Sequence, residues 1–152
     1  GQITDTFHTL IKPTVPIRSS SQKVHGISTE DLADAPLIQE VLGAFKAFMG
    51  DLPYAAHSAY NDFSFINQAY RTHLGQPFDN HRIDTYELFR QLFPDEPSHG
   101  MGALLARFGH PPHDAHRALE DAMALAKVYP TLAQLYTAKH QWRLSQLPNV
   151  QY

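Results

Sequence analysis

Tyr54-Ala55-Ala56-His57-Ser58-Ala59-Tyr60-Asn61-Asp62-Phe63 reads as a short buried strand that stops and turns into a helix. Asn61 or Asp62 caps that helix, which carries Phe63, Ile66, Tyr70 and Leu74 toward a core and stops at Gly75. An acid at a strand-to-helix junction stands over the end of a sheet, where α/β proteins commonly build their sites. Taken alone, Asp62 is no more than a helix N-cap.

The same alternation extends on both sides. Arg82-Ile83-Asp84-Thr85 is a second short strand, followed by a helix through Leu88, Phe89 and Leu92 to Pro94. Upstream, Pro36 opens a helix with Ile38, Val41, Leu42, Phe45, Phe48 and Met49 on one face and Gly50 as its stop. Ile3 to Ile11 reads as a strand, Lys12 to Ile17 as a proline-rich extended turn, and Arg18 to Val24 as a polar loop. Ser28 can cap a short helix beginning at Thr29-Glu30-Asp31. Downstream, Ser98 begins a helix ended by Gly109, His110 to Asp114 is a Pro-Pro loop, and a long helical region follows in which Pro130 marks a kink or break. Strands alternating with helices predict an α/β domain with a mixed sheet over residues 1–140, and a tail or partner-docked segment over residues 141–152.

Composition narrows the function classes. The chain has 152 residues, 43% of them hydrophobic, which suffices for one domain with a core. It lacks the run of about eighteen apolar residues that a membrane span needs. The absence of cysteine removes disulfide and thiolate-metal frameworks and favours a cytoplasmic location. A formal net charge of −3 argues against a protein that coats nucleic acid nonspecifically. An enzyme that admits one strand end stays open, because bound cations can supply positive charge locally.

His113-Asp114-Ala115-His116-Arg117-Ala118-Leu119-Glu120-Asp121-Ala122 carries the chemistry. His116 and Asp121 lie five positions apart where a loop enters a helix, so both can point into one cleft. A histidine that takes a proton from water, beside a carboxylate that holds a cation, is a working minimum for metal-assisted hydrolysis. Without context the pair is an ordinary solvated helix end. Asp62, earlier in the chain, supplies context.

In this order the pieces resemble the DEDDh branch of the DnaQ-like 3′-5′ exonucleases, the family of the epsilon proofreading subunit of bacterial DNA polymerase III. Leu10-Ile11-Lys12-Pro13 and Pro16-Ile17 are similar to its strand and extended turn, and Val24-His25-Gly26-Ile27-Ser28-Thr29 to its His-Gly-Ile-Thr loop. His57 to Ile66 resembles its second motif, with Ser58 where Asn is usual and Asn61 where Phe is usual. Ile83-Asp84-Thr85 resembles the strand before its next helix, and His116 to Ala122 matches its third motif closely.

The resemblance implies an RNase H-like fold, a mixed β-sheet flanked by helices. It implies His116 as general base, Asp121 as a ligand of the main divalent metal, and Asp62 as an outer or second-metal ligand. The cofactor implied is a pair of Mg²⁺ or Mn²⁺ ions. His25, Gly26 and Ile27 would lie against the 3′-terminal nucleotide, with Ile27 either stacked on a base or simply packed. His57 reads as a structural hydrogen-bonder. The partners implied are single-stranded or 3′-end nucleic acid, DNA ahead of RNA, and a polymerase or other protein complex, with no membrane.

The family's first motif, Asp-x-Glu, occurs nowhere in the chain. Asp5 is the only early acid and lacks the Glu. The expectation is therefore an N-terminally incomplete domain, whose first, central strand an upstream segment, or else another segment or chain, supplies; with half of its metal-binding carboxylates it binds Mg²⁺ weakly and cuts poorly by itself. A nuclease-like module that binds nucleic acid or protein without turnover is the alternative. A zinc site from His110, His113 and His116 is a third reading, weakened because Pro111 and Pro112 prevent a regular helical face. The last residues, Gln146 to Tyr152, read as a tail or a short peptide for a partner such as a sliding clamp.

Overall fold

A computed structural model describes residues 2–110 and 117–145. In chain order the elements are α1 (Ser19–His25), a 3₁₀ turn (Glu30–Leu32), α2 (Ile38–Met49), β1 (Tyr54–Ala56), α3 (Tyr60–Leu74), β2 (Arg82–Asp84), α4 (Thr85–Leu92), α5 (Met101–Arg107) and α6 (Ala118–Ser145). β1 and β2 run parallel, Ala55 opposite Ile83. Parallel strands need a crossover, and α3 supplies it. The α/β class holds, but the sheet among the described residues has two parallel strands and is not mixed.

The segment expected as a strand from Ile3 to Ile11 pairs with no strand among the described residues. It lies along α2 instead: Phe7 packs on Phe45 and Phe48 at ring distances of 5.7 and 5.6 Å. Lys12 ties the end of the segment down, its N–H donating to the Pro36 carbonyl at 2.8 Å and its ammonium to that of Ala33. A strand needs a ladder partner, and among the described residues no strand lies alongside the segment.

Arg18 to Val24 is also corrected. It is not a loop, because Ser19–His25 is helical. The Arg18 carbonyl receives the amides of Ser21 and Gln22, and Lys23 and His25 stand at the negative end of the helix. Gly26, at φ 68°, ends it in the left-handed region. The Ser28 expectation survives in shortened form. Ser28 Oγ accepts from the Asp31 amide at 3.1 Å while Asp31 accepts from the Ser28 amide at 2.8 Å, and one 3₁₀ turn follows.

α2 begins two residues after Pro36, with Glu40 accepting from the Leu37 amide at 2.6 Å. α5 starts at Met101 rather than Ser98. α6 runs unbroken through Pro130 to Ser145. Packing explains the continuity: Leu125, Val128 and Leu132 on either side of Pro130 are buried with Phe89, Leu104 and Leu105.

The buried side chains form two groups. One is that α4–α5–α6 core; the other joins Leu42, Tyr70 and Phe78 between α2 and α3. β1 lies between them, with one edge unpaired among the described residues. Beside that edge runs an apolar trough in which Phe65 stands 75% exposed. No described residue covers Phe65 there.

Candidate active site

Asp62 is not the N-cap that the sequence allowed. The cap residue of α3 is Ala59, whose side chain makes no capping bond, and Asp62 lies in the first turn. Its carboxyl is therefore free of capping duty and stands in the wall of that same trough, a cavity of about 680 Å³ that Asp121, in the first turn of α6, also lines. Partial desolvation raises the Asp62 carboxyl above the ordinary aspartate range, with the negative charges of Asp121 and Asp84 adding to it. A backbone hydrogen bond opposes the rise. Carboxylates that repel one another across a cavity favour a proton or a cation between them.

The donor chemistry fits a hard divalent ion, since both side chains offer carboxylate oxygen. The set is small. Among the described residues no group of three or more His, Asp and Glu side chains converges in a metal-binding arrangement. His116, the expected base, lies outside the described residues, as do His113 and the Pro-Pro loop; the zinc reading falls there too, apart from His110.

His25, Gly26 and Ile27 line a second cavity, of about 610 Å³, shared with His8 to Ile11 and with Arg117 to Glu120. His25 Nδ1 accepts from the Ile27 amide at 3.0 Å and closes the loop on itself. A Cβ on Gly26 would meet the Arg117 guanidinium at 3.6 Å, and its φ of 68° strains any other residue. Arg117 also helps hold the Asp31 carboxyl below its usual range, after the two larger contributions from hydrogen bonds with Ser28. The loop and the acids thus occupy neighbouring cavities, and Ala118 lines both.

His57 is a structural bonder here. Nε2 donates to the His99 carbonyl at 2.8 Å, and Nδ1 lies 3.1 Å from the hydroxyl of the fully buried Thr85. Burial pushes its pKa below the ordinary histidine value, against the His99 bond and the Asp84 charge. Sequence reading missed Asp84, which stands beside the site and bonds to both helix starts. It also missed Tyr54, whose phenol is pushed up by burial and by the charges of Asp62 and Asp84.

A family model for exonucleases of the RNase T type matches residues 1–129. The chain belongs to this exonuclease family. Members are hydrolases acting on phosphodiester bonds, and the relatives place the exonuclease domain in the DnaQ-like group. It is 38% identical over 128 residues to a PolC-type DNA polymerase III of Caldanaerobacter subterraneus, which covers 84% of this chain and 9% of that protein. The epsilon subunit of DNA polymerase III from Aquifex aeolicus is 33% identical over 129 residues, 85% of this chain and 64% of that one. The PolC-type DNA polymerase III of Thermotoga petrophila is 31% identical over 150 residues, 99% of this chain and 11% of that protein. The exonuclease domain therefore spans less than two thirds of each of these relatives.

Proposed function

We propose that this exonuclease domain removes nucleotides from the 3′ ends of DNA, in proofreading or end trimming, as part of a replicative polymerase assembly. The observation that carries the reading is the single cavity lined by Asp62 and Asp121, approached by the His25-Gly26-Ile27 loop from next door. The relatives' names, all of DNA polymerase III proteins, support DNA over RNA, a polymerase partner and a cytoplasmic setting.

Asp62 and Asp121 would hold Mg²⁺ or Mn²⁺ through carboxylate oxygen. Two such ions supply neutralisation of the charge that builds on the attacking and leaving oxygens. The chain's own groups do the rest. The His116 imidazole takes the proton of the attacking water. The His25-Gly26-Ile27 cavity seats the terminal nucleotide, with Ile27 against its base and Arg117 bringing positive charge to the loop.

Two carboxylates hold such an ion weakly, so this chain alone is expected to cut poorly. We propose that a further, central strand pairs with the open edge of β1 and fills the apolar part of this same cavity, bringing an Asp-x-Glu pair beside Asp62 and Asp121. Phe65 exposed in the trough and the two separated cores support that completion.

The test is release of nucleotides from 3′-labelled single-stranded DNA with Mn²⁺, by this chain and by the chain joined to an Asp-x-Glu strand. The expected result is near-background release by the first and clear release by the second, abolished by Asp62→Asn or Asp121→Asn. Strand binding without release by the completed protein would overturn the enzyme in favour of a binding module, the reading that the missing Asp-x-Glu supports.

A further inference from the structure

The carboxylate of Asp84, at the end of β2, accepts hydrogen bonds from three backbone amides. Oδ1 takes those of Ser58 at 3.1 Å and Tyr86 at 3.0 Å, and Oδ2 takes that of Ala59 at 3.0 Å. The bond to Tyr86 is an ordinary N-cap of α4. The other two reach back 26 and 25 residues, across the parallel pair, to the turn between β1 and α3.

That turn needs outside help. Ser58 is in the left-handed region at φ 64°, uncommon for a residue with a side chain. Ala59 is fully buried, and as the cap residue of α3 it brings no oxygen of its own. The first amides of a helix have no partner within it. Asp84 supplies one from another element, and the adjacent Thr85 hydroxyl lies 3.1 Å from the Ala56 carbonyl at the end of β1. Asp62 follows Ala59 by three residues, in the first turn of the helix so anchored.

We propose that Asp84 is a positioning residue: by clamping the Ser58 and Ala59 amides it sets where α3 leaves the sheet, and thereby where Asp62 stands in the cavity opposite Asp121. The proposal rests on Asp62 being a metal-holding acid, while the clamp itself can be read without metal. It makes the placement of one acid depend on another that need not touch the ion.

Asp84→Ser separates the two duties of the carboxylate. Serine is as good an N-cap for α4, but it is too short to reach Ser58 and Ala59. In the full chain, amide exchange by NMR is expected to accelerate at Ser58 and Ala59 and not at Tyr86. The shifts of Asn61 to Phe63 should move. Mn²⁺ affinity, followed through paramagnetic broadening around Asp62 and Asp121, should weaken by about tenfold. In an Asp62→Asn background the same change should have no further effect on Mn²⁺ affinity.

A merely structural Asp84 predicts a lower melting temperature with unaltered Mn²⁺ affinity of the folded protein, and that result overturns the proposal. Should the wild-type chain show no broadening at Asp62 and Asp121, the metal reading fails separately. The clamp is then decided by the Ser58, Ala59 and Asn61–Phe63 signals, and unchanged signals overturn it. If Asp84→Ser does not fold, Asp84→Asn, which keeps one oxygen, is expected to show the same changes at smaller amplitude. Wild-type behaviour of that variant in both amide exchange and Mn²⁺ affinity counts against the clamp.

Discussion

His57 shows how far burial alone can set a residue's behaviour. Its ring is held between the His99 carbonyl and the Thr85 hydroxyl, and desolvation lowers its pKa from the ordinary 6.5. The unfolded chain then binds more protons than the folded one just below that value, so stability falls as pH drops from 6.5 toward the folded pKa. Above 6.5 the residue is neutral in both states and contributes no slope. Urea unfolding at a series of pH values should show this fall, and His57→Gln should remove part of it. Gly26 offers a second residue-scale prediction. At φ 68° an alanine costs about 1 kcal/mol, so Gly26→Ala should lower stability modestly and disturb the His25–Ile27 cavity, seen as shifts in the Ile27 amide. His116→Ala, in the protein completed with an Asp-x-Glu strand, should reduce kcat by roughly 10²- to 10⁴-fold at unchanged strand binding.

At the scale of elements, α6 contains a proline that helix propensity would reject. Pro130 removes one intrahelical bond, yet the helix persists because Leu125, Val128 and Leu132 are seated against α4 and α5. Pro130→Ala is expected to raise stability by about 1–3 kcal/mol in urea unfolding, provided that the alanine restores the missing bond. This element also shows which features are legible in the amino-acid order. β1, β2 and the helices α2 to α4 follow from local periodicity and from stops such as Gly50 and Gly75, whose chemistry lies within a few residues of its effect. α1 was hidden by Ser19-Ser20-Ser21, poor helix formers whose helix ends on Gly26 in the left-handed region. The role of Asp84 was hidden for another reason. The amides it holds are 25 and 26 residues away, and only the parallel pairing of β1 with β2 brings them within reach. Asp62 was legible as an acid over a sheet end; that it is not the cap of its own helix was not.

Across the whole molecule, apolar surface is divided between two buried groups with an open trough between them. Phe65, at 75% exposure, contributes little to the stability of the chain as it stands. Phe65→Ser should therefore shift the unfolding free energy by no more than about 0.5 kcal/mol, while lowering the binding of a hydrophobic dye such as ANS. A large loss of stability would show that the trough is closed in solution. The same substitution in the protein completed by an added strand should be far more damaging, because Phe65 would then be core. The difference between the two costs measures how much of the fold the added strand supplies.

The first turn of α6 borders both cavities. Ala118, itself exposed, lines both the acid cavity and the His25–Ile27 cavity. In the proposed enzyme a nucleotide seated against this turn would press on the helix that carries Asp121. Any effect of a bound nucleotide on ion affinity would then be matched, by the same factor, by an effect of the ion on nucleotide affinity.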